Sequence, residues 1–419
     1  MGKIFFAFLA LFLAGGVLAE KMPATSTSTI TLQDILRIAE RENPEILAAR
    51  KKWDAARARI AQETTPDKPR LDIERMYVPQ NDGVFAGTGE KNWAVTQEIP
   101  FPTTLYLRNR RTKQEAAMAE AGFRAKERDV LARVKTTYAM LFLSHHAIHI
   151  FQENVDLMRQ FAQAANARYA AGTATQSDVL KAQVELSKML NMLVTLDQEK
   201  QTNEAMLNTL LNRPPENALG VPEDPSLQHL KRNLESLQAL AVQSRPELQE
   251  AARTVDKSQT SLNLARSEYL PDLMLQYRRR DMTNGPETHD AVVGFSVPLW
   301  FWKQGAMVRE ARADREMAQA EYQFMKNMTL FDVKNLLVKV NTAQRLTELY
   351  QTSVLPQAQE ALKVSQAGYQ SGRIPFLDLL DSSRSLLDFR LEHYQHIADY
   401  QQYLADLERV VGVDLGEPK

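Results

Sequence analysis

The apolar positions of this chain follow two periods, and each period appears twice. Leu186, Met189, Leu193 and Leu196 step by 3, 4 and 3, and Ile397, Tyr400, Leu404, Leu407 and Val411 step by 3, 4, 3 and 4. That spacing is the a/d seam of a coiled coil and predicts helices over residues 176–212 and 376–411. Upstream of each lies a much longer helical stretch, residues 104–171 and 303–371, without a proline until Pro356. At ~1.5 Å per residue such a helix runs ~100 Å, wider than a globular core, so each is a rod. The rods are rich in alanine at many phases, as in Ala162-x-Ala164-Ala165-x-Ala167, which suits neighbours on more than one flank. Gly172 and Gly372 stand where each rod must stop and turn back. A shorter helix, residues 32–61 and 234–269, opens each half with a proline near its start.

The second period is two. Four segments of about strand length alternate: 71–79, 92–100, 271–279 and 290–298. Leu273, Leu275 and Tyr277 share one face against Met274, Gln276 and Arg278, and Ala291, Val293, Phe295 and Val297 oppose Val292, Gly294 and Ser296. Trp93, Val95 and Ile99 oppose Asn92, Thr96 and Glu98, with Gln97 interrupting the apolar face. Leu71, Ile73 and Tyr77 alternate with Asp72 and Glu74, with Arg75 breaking the pattern. The lengths match the ~9–11 residues of a tilted membrane strand. The connecting loops 80–90 and 281–289 are polar, and Leu299-Trp300-Phe301-Trp302 suits an interfacial aromatic girdle. On periodicity alone, two amphipathic hairpins on a soluble domain stay open as a reading. If the strands span a membrane, two hairpins do not close a barrel, which takes ~8 strands at least. Several chains must then share one barrel.

These elements are repeated in order. Asn43-Pro44-Glu45-Ile46 returns as Arg245-Pro246-Glu247-Leu248, at an offset of 202. Pro66-Asp67 returns as Pro271-Asp272, and Val95…Pro100-Phe101 as Val293…Pro298-Leu299. Tyr169-x-x-Gly172-x5-Asp178-x-Leu180 returns as Tyr369-x-x-Gly372-x5-Asp378-x-Leu380, at an offset of 200. Leu210-Leu211-Asn212 returns as Val410-Val411-Gly412. The predicted organisation is a signal peptide at 1–19, a linker at 20–31, a first repeat at 32–212, a linker at 213–231, a second repeat at 232–412 and a tail at 413–419. The signal reading rests on an apolar run at 4–13 followed by the small-x-small pattern Val17-Leu18-Ala19.

Composition narrows the function. With 51 Lys+Arg against 52 Asp+Glu there is no basic footprint for nucleic acid. Mean hydropathy is −0.38, and no stretch after the signal reaches the ~18 apolar residues of a spanning helix. The chain has no cysteine, so thiol chemistry, disulfides and a lipid-anchored N-terminal cysteine are all outside its reach.

The duplicated helix–strand–strand–long helix–return helix order, the NPE and RPE tripeptides and the two Tyr-x-x-Gly-x5-Asp-x-Leu motifs resemble the TolC-like outer-membrane efflux family over nearly the whole mature chain. Size and simple termini look most like its heavy-metal-efflux (CzcC/CusC-like) or general efflux branches. The resemblance implies a mainly α fold with a small β part: tandem long coiled-coil hairpins plus four membrane strands per chain. Three chains would form a twelve-strand β-barrel continued by a periplasmic α-helical tube. It implies a homotrimer in outer-membrane lipid, with a periplasmic adaptor and an inner-membrane efflux transporter as partners and no cofactor. It also implies a gate at the periplasmic end, onto which Tyr369, Asp378 and Asp381 map, and adaptor-docking tips at Gly172 and Gly372. Asp378 and Asp381 lie three apart on one helix face, and threefold symmetry would make them rings that attract cations. They also suit the first turns of a helix, where the dipole favours acids. The first half carries Lys181 where the second has Asp381. The arginine that often locks the family's gate is missing: Ile374 holds that position, with Arg373 beside it.

One other cluster is a candidate. His145, His146 and His149 form HHAIH, and His145 and His149 at i, i+4 have the spacing to share a metal, against a plain solvated helix surface. The chain lacks HExxH, Walker, GxGxxG-before-helix and GxSxG signatures, which argues against an enzyme. Two functions compete: an exit duct for efflux or export, and a soluble periplasmic coiled-coil scaffold or adaptor.

Overall fold

The structure, a computed structural model, describes residues 29–76, 78, 90–225, 230, 232–282 and 285–416. The expected signal peptide, most of the linker that follows it, the outer end of the first strand and nearly all of the first hairpin loop lie outside the described residues. So do part of the second linker and the last three residues of the tail.

The first set of elements is α1 (Leu32–Glu42), α2 (Pro44–Thr64), β1 (Arg70–Met76), β2 (Glu90–Ile99), α3 (Pro102–Ala170) and α4 (Gln176–Leu210). The second set is α5 (Leu234–Ser244), α6 (Pro246–Ser267), β3 (Asp272–Asp281), β4 (Thr288–Ser296), α7 (Phe301–Leu349), a π-helical turn (Tyr350–Val354), α8 (Leu355–Gln370) and α9 (Phe376–Val411). Two expectations are corrected. The single opening helix of each half is a pair of helices. A proline forces the residue before it out of the α region, and Asn43 and Arg245 are extended (ψ 125° and 118°). The second rod is interrupted where Pro356 lacks an N–H and crowds the carbonyl four residues earlier, and the π turn just upstream absorbs the misfit.

The NPE motif is a structural joint. The Asn43 side chain accepts from the N–H groups of Glu45 and Ile46 and so caps α2, while its Nδ2 donates to the Leu210 carbonyl at 2.8 Å. The start of the repeat is thereby tied to the end of its own return helix. In the second repeat the equivalent joint is packed against Gly412, which has φ 84° and lies so close that a Cβ there would sit 2.5 Å from the Ser244 carbonyl oxygen.

The rods set the architecture. α3, 69 residues long, contacts α2 and α4 on one flank and α6 and α9 on the other, and α7 lies beyond α6 and α9. The helices therefore form a wall with α2 and α4 at one edge and α7 and α8 at the other. Among the described residues its core has three parts. Ile35, Ile46, Val130, Tyr138 and Leu207 hold the first repeat's joint to α3. Leu237, Val333, Val340, Leu407 and Val411 do the same in the second. Phe151, Met158, Met189, Leu362, Phe376 and Leu387 join both repeats toward the glycine-turned tips.

The sheet has the order β1-β2-β3-β4, all antiparallel. Register puts Leu71, Val95, Tyr277 and Ala291 in one row and Gln97, Leu275 and Val293 in another. These rows belong to one face, on which Leu71, Ile73, Trp93, Val95, Leu275, Tyr277, Val293 and Phe295 are all exposed. The opposite face carries Asp72, Glu74, Asn92, Thr96, Gln276, Arg278, Arg280 and Asp290. An apolar face turned to solvent and a charged face opposite it is the pattern of a membrane barrel. The two sequence interruptions have local reasons. Arg75 shares a row with Lys91 and Asp281 at the hairpin-loop end, beyond the apolar band. The Gln97 amide folds back to donate to the Asp67 and Glu98 carbonyls, both at 2.8 Å. At the helix end, Leu299, Trp300, Phe301 and Trp302 are exposed as a group.

Arginine at Leu275 or Val293 is expected to cost ~2–4 kcal/mol in bilayer folding titrations if the site lies near the midplane. Arginine at Gln276 or Ser296, on the charged face, is expected to cost much less. Equal tolerance of both faces would contradict the assignment.

Candidate functional site

The four long helices meet at the end of the wall farthest from the sheet. There α3 turns into α4 through Gly172 (φ 70°) and α8 into α9 through Gly372 (φ 74°). Both turns use the same bonds: Thr173 N–H donates to the Arg168 carbonyl, and Arg373 N–H to the Gly368 carbonyl. Positive φ costs an L-residue ~1 kcal/mol or more, which is why glycine stands at both positions. The turns then diverge. Thr175 and Asp178 form a capping box at the start of α4. Pro375 occupies the corresponding cap of α9 and makes no side-chain cap bond, so Asp378 lies in the first turn of α9 free of that task.

Tyr369 is buried (5% exposed) with its ring edge-on to Phe376 at 5.5 Å. Its hydroxyl has no hydrogen-bond partner among the described residues. The contact it makes across the repeats runs through other atoms: Arg168 of α3 donates to the Tyr369 carbonyl and lays its guanidinium over the ring at 4.7 Å. Burial raises the phenol's pKa above 10.0, although the neighbouring Arg168 charge opposes the shift. Ile374, at the position of the family's locking arginine, packs onto the shared core, and Arg373 is exposed.

Asp378 and Asp381 are both exposed. Asp381 is 3.7 Å from Arg384, whose main partner is Glu185 on α4. Arg384 grips that carboxylate with two nitrogens, Nε at 2.9 Å from Oε1 and Nη2 on Oε2. The hydrogen bond from Arg384 holds the Glu185 carboxyl below its ordinary 4.5. A depressed folded pKa means that the pair's contribution is complete above that ordinary value and fades as pH falls through the lower folded one. Arg168, Glu185 and Arg384 were missed in the sequence because neither their types nor their spacing mark them. Only the fold brings residues 199 positions apart together.

The histidines of HHAIH turn to different acids. His145 Nε2 lies 3.9 Å from Glu204, His146 Nε2 2.9 Å from Asp224 and His149 Nδ1 3.4 Å from Glu153. His146 also stacks on Tyr394 at 4.2 Å.

A second feature is spread along the wall. On α7, Met317, Phe324, Met328, Phe331 and Val338 are exposed and step by 7, 4, 3 and 7, the spacing of a coiled-coil seam. At the opposite edge, Leu180, Val184 and Val194 of α4 are also exposed. The seam on α7 was legible by the same arithmetic that found the return helices.

A sheet with one lipid-type face, open at both edges and continued by ~100 Å helices, defines a subunit of a tubular membrane channel. The chain belongs to the outer membrane efflux protein family, whose pattern matches residues 35–213 and 237–413. It is an efflux channel of the outer membrane that extends into the periplasm, and the soluble scaffold reading is not favoured. The cobalt-zinc-cadmium resistance protein CzcC of Cupriavidus metallidurans is 24% identical, over 95% of this chain and 94% of its own length. Among solved structures, CusC matches with a TM-score of 0.80 at 17% identity, covering 91% of this chain and 92% of its own. The outer-membrane channel OprN matches with a TM-score of 0.79 at 19% identity, covering 92% and 90%.

Gly172→Ala and Gly372→Ala are each expected to lower stability by ~1 kcal/mol through φ alone. Gly372→Ala adds a contact with Arg168 Nη2, 3.3 Å from the new Cβ, whereas Gly172 has open space. Thermal melts by circular dichroism should therefore place Gly372→Ala below Gly172→Ala.

Proposed function

We propose that three copies of the chain close into one duct, the exit component of a tripartite system that takes substrate from an inner-membrane transporter through a periplasmic adaptor. The observation that carries this reading is the coincidence of edges. β1 and β4 are the edges of the sheet, and the exposed apolar seams of α4 and α7 are the edges of the wall. A second copy placed beside the first satisfies both at once. In hydrocarbon an unpaired strand edge costs several kcal/mol per group, so closure is obligatory. Three copies supply four strands each, enough for a water-filled barrel. CzcC's name supports metal ions as cargo for that relative, and a divalent cation is the substrate class we assign here.

Within this duct we assign the gate to Tyr369, Asp378 and Asp381 and the adaptor-docking tips to the turns at Gly172 and Gly372. Exposure of both carboxylates beside the start of α9 supports the first assignment, since three copies would bring six acids toward one axis. The mirrored positive-φ turns at the tips support the second.

Two experiments test these readings. Phe324→Glu and Phe331→Glu, at positions 68% and 60% exposed in the single chain, are expected to abolish trimers while leaving the protomer's helicity intact. Trimers that survive both changes would refute the seam. Asp378→Asn with Asp381→Asn is expected to weaken divalent-cation block of single-channel current roughly tenfold or more when the ions are added from the periplasmic side. Block as strong as in the parent would leave both acids as helix-dipole residues.

A further inference from the structure

We propose that the outer face of the wall, just below the sheet, carries a basic collar that binds the phosphate headgroups of anionic phospholipids in the periplasmic leaflet of the outer membrane.

The collar is built on three neighbouring helices. Where α3 leaves the sheet, Tyr106, Arg110 and Lys113 step by 4 and 3, so they share one face, and all three are exposed. α7 repeats the arrangement. Trp302, Gly305, Arg309 and Arg312 step by 3, 4 and 3, and Arg110 and Lys113 return as Arg309 and Arg312, both at an offset of 199. Between these helices α6 contributes Arg266, exposed beside Ser267, whose hydroxyl meets that of Thr104 of α3 at 3.2 Å. None of the five cations has an ion-pair partner among the described residues, whereas Arg111 lies 3.9 Å from Glu115 and Arg315 3.8 Å from Glu316.

At this height the two faces of the wall differ in charge. One holds a groove lined by Glu63, Glu268, Glu310 and Asp314 together with Arg108 and Arg111, an excess of acid. Tyr106, Arg110 and Lys113 lie on the side of α3 turned away from Arg108 and Arg111, and Arg309 and Arg312 on the side of α7 turned away from Met307 and Asp314, which also line the groove. On that basic side of α3 and α7 the next acids are Glu120 and Glu316, which pair with Arg124 and Arg315.

The aromatic residues fix the basic face as the outer one. Tyr106 is 63% and Trp302 71% exposed, and the Trp300 ring lies 5.3 Å from that of Trp302. Rings left bare at the foot of a lipid-facing sheet mark the boundary between hydrocarbon and headgroups. Arg309 reaches back toward them. A Cβ added at Gly305 would lie 3.7 Å from the Tyr269 hydroxyl oxygen and 3.9 Å from Arg309 Nη1, so the guanidinium sits a turn nearer the sheet than its own Cα. That is ~5 Å below Trp302, inside a headgroup layer ~5–7 Å deep. Side chains aimed this way cover the boundary with their stems and bring their charges to the phosphates, which the guanidinium fork matches. The seam that begins at Met317 runs beside this face of α7, not on it, so copies joined there leave the cations to the lipid.

The full-length oligomer in phosphatidylcholine vesicles tests the collar. Electron spin resonance of phosphatidylglycerol or phosphatidylcholine labelled on the acyl chain measures how much of each is immobilised against the protein. The parent is expected to prefer phosphatidylglycerol roughly threefold or more, and about 1 M salt should bring the ratio near one. Arg110→Gln, Lys113→Gln, Arg266→Gln, Arg309→Gln and Arg312→Gln combined should abolish the preference at low salt. Arg159→Gln with Lys363→Gln, far down the wall, should keep it. Where the combined variant fails to assemble, Arg110→Gln with Lys113→Gln and Arg309→Gln with Arg312→Gln decide the matter, each pair lowering the ratio roughly twofold. No preference in the parent, a preference indifferent to salt, or ratios unchanged in the collar variants would each overturn the proposal. A face that served an acidic protein instead of lipid would give the first of these results, because the vesicles hold no other protein.

Discussion

A polar backbone group in hydrocarbon must find a partner, and this constraint orders the whole molecule. Four strands with an exposed apolar face on one side and a charged face on the other can sit in a bilayer only if β1 and β4 find strand partners. The chain has no further strand of its own among the described residues, and on the function proposed above other copies supply the partners. The same rule fixes what lies below the sheet. Each strand pair feeds a helix long enough to leave the membrane, and the helices must keep the edges that the strands establish.

The helices keep them in the same order. α2 leads into β1, β2 into α3, α6 into β3 and β4 into α7, and the helix contacts run in the same order, α2 to α3, α3 to α6 and α6 to α7. The joints that keep this order are small. Asn43 ties α2 to the end of α4, and Gly412 lets the second joint sit directly on the end of α9. Rods of this length gain stability from their neighbours rather than from propensity, so their alanine-rich flanks and outward seams are two aspects of one design.

Much of this was readable from the chain, for physical reasons. A strict period survives in sequence, so the rods, the return helices, the alternating strands and the repeat offset were all visible. Backbone constraints with one permitted residue were visible too: glycine at 172 and 372 marks positive φ. Features that depend on local conflict were less so. Proline at the start of α2 and α6 was seen, but its power to split one helix into two was not. Proline at 356 was noticed as the first in a rod, yet the π turn that absorbs its misfit has no signature of its own in the sequence. The tip contacts were hidden altogether. Tyr369 stands out in sequence only through the repeated motif, whereas the fold uses its ring and carbonyl, and the arginines that touch the tip, Arg168 and Arg384, have no sequence signature. Electrostatic pairs between distant segments have no period, and only packing reveals them.

The claim on which everything else rests is that β4 of one copy pairs with β1 of the next. It can be measured by placing single cysteines along β1 and β4 in an otherwise cysteine-free chain and oxidising the protein in the outer membrane. Closure between copies predicts disulfides that link different chains, at β1–β4 positions in a fixed antiparallel register, and that saturate at species of three chains. Disulfides confined within single chains, or the absence of any register-specific link, would contradict it.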